Sequence, residues 1–198
     1  NGCIKIDAFN PKGNSGYGSY KNINSSATAS TGSFVLGDGV VVNATSSAQI
    51  AYAIRLVSAA TNYSEVDYAT ASNVTINGGS YTAAGKTGSY AIYTTGEATS
   101  GDKSATPKLL IADGKFMAAG SASTKVCLNE LALSDDSEIS GGYYSHSETL
   151  AEYVVDGKMV VNNTDEPELS NGYLYKVDVA DFGDVMDIVD WGTNSVTL

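Results

Sequence analysis

Any chemistry in this chain would have to come from a short list of residues. Asp135 and Asp136 stand together, Asp165 follows Asn163 and Thr164, and His146 and Arg55 are the sole histidine and the sole arginine. Paired acids beside a histidine and a basic subsite could hydrolyse a uronate polymer; a cationic base with charge neutralisation could eliminate across one. The hydrolase arrangement fails on order, because the acidic motifs come reversed and neither Gly-His-Gly nor Arg-x-Lys occurs. The eliminase fails on supply, since Arg55 lies far in sequence from any acidic cluster that could hold Ca²⁺. His146, in "YYSHSE", reads as a loop residue. Asp178, Asp181, Asp184, Asp187 and Asp190 recur every third position, a spacing that drifts by about 60° per step on a helix and spreads carboxylates around the axis. A Ca²⁺ loop would alternate acids at short intervals around a Gly turn, so this segment reads as a solvated acidic close. Cys3 and Cys127 make neither a disulfide framework nor a zinc site, and the expected state is two unpaired thiols with Cys127 buried. Neither a metal nor a cofactor is expected.

Charge and length narrow the classes further. The 198 residues carry 11 basic against 22 acidic side chains, a net −11, which leaves no surface for tracking phosphates and makes nucleic acid an unexpected partner. Apolar runs such as "IAYAI" at 50–54 fall far short of the roughly 20 residues that span a bilayer, so no membrane insertion is expected. The chain opens on Asn1, which reads as a processing site or a truncation. Five Asn-x-Ser/Thr triplets, at Asn24, Asn43, Asn62, Asn73 and Asn162, match chance in a chain this rich in Ser and Thr.

The elements that must position these residues are written as a repeat. "NVTINGGSYTA" at 73–83 is echoed by "SEISGGYYSH" at 137–146, and the shared template is apolar-x-apolar-x-(Gly/Asp/Asn)-Gly-x-apolar. Phe34 to Val41, Val74 to Tyr81 and Leu109 to Phe116 fit it; Ser137 to Tyr144 lacks only the first apolar position, and Leu169 to Leu174 is a weaker fifth copy. Alternation at period two predicts strands, and the Gly predicts a corner that needs φ > 0 or a missing Cβ. Gly39, Gly79, Gly114 and Gly142 are therefore the expected turn residues. A second apolar strand follows at offsets of 18, 16 and 17 residues, from Leu36 to Ile54, Ile76 to Ile92 and Ile111 to Leu128, whereas the return legs run 22, 19 and 11 residues. One constant leg and one elastic leg predict an all-β chain built as a right-handed parallel β-helix (β-solenoid) of about four rungs, each covering its neighbour's apolar edge. Residues 46–60 are favoured as strand, with a short helix behind a Ser cap as the alternative, and 147–155 is expected to form a helix before a hairpin of "KMVVNN" with "GYLYKVDV".

"ISGGYYSHSETLAEYVVDGKMVVNN" resembles the repeat end, short helix and Asp-Gly strand of parallel β-helix surface proteins of gut bacteria and of structural proteins of their phages. The resemblance is close over 137–163 and loose over 73–136. It implies that helix and hairpin close the solenoid and that the fifth copy is not a rung. The expected organisation is a lead-in at 1–33, the solenoid at 34–145, a cap at 146–177 and an acidic segment at 178–198. The expected role is a non-enzymatic structural or binding module on a virion or bacterial surface, hence extracellular. Its expected partners are subunits of a larger assembly, copies of itself included, or a host-surface glycan. The alternative is a carbohydrate-active β-helix enzyme, a polysaccharide lyase or glycosidase. Elastic legs carried on a rigid scaffold are where recognition is expected, which selects Tyr63, Tyr68 and Tyr93, with Tyr143 in the fourth copy, as binding candidates.

Overall fold

Strand residues alternate their side chains between two faces, and the burial of this chain follows that rule closely, as in Ser80–Gly85, where every second residue is buried. The computed structural model describes residues 2–7, 33–63, 66–129, 131, 133–164 and 172–180, with the backbone alone at 2, 3, 7, 61–63 and 66–68. After β1 (Gly2–Asp7) comes a triplet, β2 (Ser33–Leu36), β3 (Val41–Thr45) and β4 (Ile50–Val57), then a hairpin of β5 (Ala59–Tyr63) and β6 (Val66–Thr70). The pattern repeats as β7 (Asn73–Ile76), β8 (Ser80–Gly85) and β9 (Gly88–Thr94), with a hairpin of β10 (Ala98–Ser100) and β11 (Lys103–Ala105). A third triplet, β12 (Lys108–Ile111), β13 (Lys115–Gly120) and β14 (Thr124–Asn129), precedes the short β15 (Glu138–Ile139) and β16 (Tyr143–Tyr144), and β17 (Lys158–Asn162) and β18 (Tyr175–Val179) close the described chain. The fold is all-β; the one helical element among the described residues is a single 3-10 turn, Leu150–Tyr153.

First, second and third strands of each triplet form separate sheets. The orders are β2-β7-β12-β15, β3-β8-β13-β16 continued by β18 and β17, and β1-β4-β9-β14. All pairs between successive triplets are parallel, and within these three sheets only β18 runs antiparallel, to β16 and to β17. Register aligns like with like: Leu36, Ile76, Ile111 and Ile139 in one row, Val42, Tyr81, Phe116 and Tyr144 in another, Ile4, Ile54, Ile92 and Leu128 in a third. The aromatic row is a stack, with ring centroids 5.3 Å apart between Tyr81 and Phe116 and 5.1 Å between Phe116 and Tyr144. Each buried Ile, Leu or Phe is worth roughly 1.5–3 kcal/mol.

Corners are bound by their own hydrogen bonds. Lys115 N donates to Gly79 O (2.9 Å) and Tyr143 N to Gly114 O (2.8 Å), while Ser80 N donates to Val40 O (2.8 Å). Val40, and not Gly39, therefore stands where Gly79 and Gly114 stand in later layers. The first corner spans 37–40, one residue more than 77–79, 112–114 and 140–142, and it closes with Val40 N donating to Gly37 O at 3.2 Å. This corrects the expected template: Val42 is 6% exposed and pairs with Tyr81, whereas Val41, expected inside, is 69% exposed. Gly79, Gly114 and Gly142 adopt φ of +95°, +137° and +104°, but Gly39 is outside the left-handed region and a Cβ there would meet nothing within 4 Å. The extra residue spreads the reversal over a four-residue turn, so no single position needs the missing Cβ.

Residues 50–57 form a strand, and the source of their helix-like spacing is visible. Ala53 and Ile54 are both buried, as are Ala91 with Ile92 and Cys127 with Leu128, so β4, β9 and β14, three of this sheet's four strands, shift phase together. The shift leaves Tyr52 and Arg55 three apart on the outer side. At the far end, Leu150 is fully buried in the 3-10 turn, to which the expected helix over 147–155 contracts. The hairpin of β17 and β18 forms as expected. Leu169 and Asn171 lie outside the described residues, and β18 runs antiparallel, so the fifth copy adds no parallel layer. Residues 2–7 of the expected lead-in join the third sheet as β1; residues 8–32 lie outside the described residues, as do 181–198 with four of the five spaced acids.

β1, β2 and β3 are the edges of their sheets at one end. There Phe34 is 42% exposed, although Val74 and Leu109, its neighbours in the row, are each 1% exposed.

Candidate functional site

The common phase shift turns two cross-strand rows of the β1-β4-β9-β14 sheet outward. Gly2, Tyr52, Tyr90 and Val126 make one row; Lys5, Arg55, Tyr93 and Asn129 make the next. Tyr52, Arg55, Tyr90 and Tyr93 are all partly exposed, on the opposite side of the strands from buried Ala51, Leu56 and Ala91. Their rings form one cluster, with centroids 5.8 Å apart for Tyr52 and Tyr90, 4.6 Å for Tyr52 and Tyr93, and 5.2 Å for Tyr90 and Tyr93. Arg55 Cζ lies 5.6 Å from the Tyr52 centroid, within cation–π range. Burial and the neighbouring Tyr93 hydroxyl push the Tyr52 pKa up, Arg55 pulls it the other way, and Tyr90 adds a further upward push. Among the described residues no carboxylate pairs with Arg55. Arg55 Nε and Asn129 Nδ2 are both shut off from solvent without a hydrogen-bond partner there. They flank Tyr93 on either side in its row.

The four expected binding tyrosines do not form one site. Tyr93 belongs to the cluster just described. Tyr143 faces outward on β16, in a different sheet, and lines a shallow groove of about 290 Å³ with Asp38, Asp113 and Lys115 along the corners. Tyr63 and Tyr68 lie on the hairpin strands β5 and β6, and their side chains are outside the described residues. Tyr52 and Tyr90 were missed as site residues although "YAI" stands at 52–54 and again at 90–92. A residue repeated at one template position is stacked on itself in the next layer, and that signal could have found them.

Nowhere among the described residues do acids, bases and nucleophiles converge. Asp135 and Asp136 are exposed in a turn closed by Ser137 N donating to Ser134 O at 2.8 Å, and Asp165 is outside the described residues. His146 Nδ1 lies 2.8 Å from Ser145 Oγ, the spacing of a base and its nucleophile. That hydroxyl accepts from Ala118 N at 2.9 Å, contacts Cys127 Sγ at 3.3 Å, and belongs to a residue only 5% exposed. It packs the interior rather than meeting a substrate. Cys127 is a free thiol, and burial pushes its pKa up, which suppresses the reactive thiolate. No group of three or more His, Cys, Asp or Glu able to hold a metal occurs among the described residues, and no helix there is long and apolar enough to cross a membrane.

Comparison with protein-family models, with curated proteins and with solved structures finds no match to this chain.

Proposed function

We propose that this protein is a non-catalytic binding scaffold: a right-handed parallel β-helix of about four rungs, closed at its C-terminal end and displayed on a virion or bacterial surface. Three sheets whose triplet strands pair in parallel, with rows of like residues, support the β-helix reading, since each layer buries its apolar edge only against the next. The observation that carries the binding role is the outward cluster of Tyr52, Tyr90, Tyr93 and Arg55 on adjacent strands. Tyrosine offers a large rigid face with a hydrogen-bonding tip at little rotamer cost, and parallel strands hold three of them without a loop. Such a face suits a surface glycan or a neighbouring subunit, including a second copy of this chain.

Incubation with uronate and neutral polysaccharides, with and without Ca²⁺, is expected to release no product. Steady release that disappears when Asp135, Asp136 or Asp165 becomes Asn would replace this reading by a polysaccharide lyase or glycosidase.

A further inference from the structure

We propose that the tyrosine face is a site for an acidic sugar, a pyranose carrying a carboxylate within a larger glycan. The assignment rests on reading that face as a binding surface and adds the chemistry of its occupant.

Shape comes first. Tyr52 and Tyr90 are stacked across neighbouring strands, 5.8 Å between centroids and 22° between planes. On the β1 side, the residue in register with Tyr52 is Gly2, which sets no side chain beside the ring. A pyranose, whose C–H faces are apolar and whose rim is hydroxyl, can continue the stack at that place. The face is a shallow platform on a sheet, which admits one unit of a longer glycan.

Charge selects among sugars. Acids outnumber bases 22 to 11 in the whole chain, yet the two rows contain Arg55 and Lys5, in register with each other, and no acid. Arg55 has no carboxylate partner among the described residues, and a planar guanidinium is the group best matched to a carboxylate. A neutral sugar would leave it unanswered.

The phenol tips of Tyr90 and Tyr93 remain available to the hydroxyls of the sugar.

The test is calorimetric titration of the whole chain with oligogalacturonate and with sialyllactose, which separate a uronate from a sialate source, and with a neutral cello-oligosaccharide. At least one acidic probe is expected to bind, more weakly as salt rises, while the neutral one does not. Arg55→Gln and Tyr93→Ala should each weaken acidic binding by about tenfold or more, the scale of one charge-assisted contact. Amide chemical-shift mapping on the wild-type chain should move Tyr52, Arg55, Tyr90 and Tyr93, so the assignment stays testable if a variant fails to fold. Binding of the neutral probe alone, perturbation at the Tyr143 groove instead, or undiminished binding by a folded Arg55→Gln would overturn it. Silence from both acidic probes would also overturn it and leave the non-catalytic reading, judged by product release, in place.

Discussion

A Cβ at Gly79 would lie 2.7 Å from Val40 O and 2.9 Å from Tyr81 Oη, on a backbone already at φ +95°. Gly142 repeats the situation at φ +104°, 3.0 Å from Tyr144 Oη and 3.1 Å from Gly114 O. Gly79→Val and Gly142→Val are therefore expected to cost about 2–4 kcal/mol each, from strain and from the displaced corner carbonyl. Gly39→Ala is the control within the same motif. With open space and no left-handed backbone it should leave the thermal midpoint unchanged or slightly raised, and a large loss there would return Gly39 to the corner class. The same corners make a pH dependence. Tyr81 Oη donates to Gly78 O at 3.0 Å and Tyr144 Oη to Gly141 O at 2.8 Å, and burial raises both pKa values, Tyr81 to about 12 and Tyr144 well above the usual 10.0. A raised tyrosine pKa favours the folded state most while the phenol is protonated in both states, and ionisation of the unfolded phenol erodes that advantage. The contribution is thus complete below pH 10.0 and is lost as pH climbs through the folded value of about 12. Alkaline melts should fall across that window, and Tyr81→Phe should flatten the fall; identical curves for both proteins would remove Tyr81 from the account.

Between the layers, the elastic legs are not slack. The hairpin β10–β11 lies against the hairpin β5–β6, and Ser100 is buried at 9% exposure. Replacing 97–106 by a short Gly-Ser linker should leave the melt of the sheets nearly unchanged, because no strand of the three sheets is removed. Amide exchange at 59–63 and 66–70 should nevertheless quicken, having lost its neighbour. Unaltered exchange would mean that the hairpins stand apart. The β10–β11 hairpin was hidden in the sequence because "YTTGEATSGDKSATPK" at 93–108 holds no large aliphatic residue, and a pair of short strands packed on each other needs no apolar alternation. The triplets were legible for the opposite reason: Val74, Ile76 and Tyr81 alternate because one face is buried. Register past the first corner was not legible, since Val40, Val41 and Val42 are equally apolar and only the hydrogen bond from Ser80 N to Val40 O chooses among them. The tyrosine cluster was half legible. The repeat spacing puts Tyr93 at the start of an elastic leg, while Tyr52 and Tyr90 fall inside the second apolar strands beside Ile54 and Ile92.

At the scale of the whole molecule the two ends differ. One carries the 3-10 turn with buried Leu150 and the antiparallel β17–β18 hairpin; the other presents the edges of β1, β2 and β3, with Val35 and Val41 67% and 69% exposed. Among the described residues nothing pairs with the outer side of these strands, and edges with apolar side chains invite strand addition. Concentration-dependent association is therefore expected by light scattering, and Val35→Lys with Val41→Lys should suppress it without lowering the melt, as both side chains already face water. A wild-type chain monomeric at every concentration would mean that this edge is not adhesive.

The four-residue corner at 37–40 leaves the pairing on both sides intact, Leu36 with Ile76 before it and Val41 with Ser80 after it. One residue has been added and no strand has noticed. Inside a strand the same addition would reverse every side chain beyond it, turning the interior row to water. Insertions and deletions are thus confined by geometry to the corners and hairpins. Descendants of such a chain can drift in length there, one residue at a time, while the rows of stacked side chains hold their places.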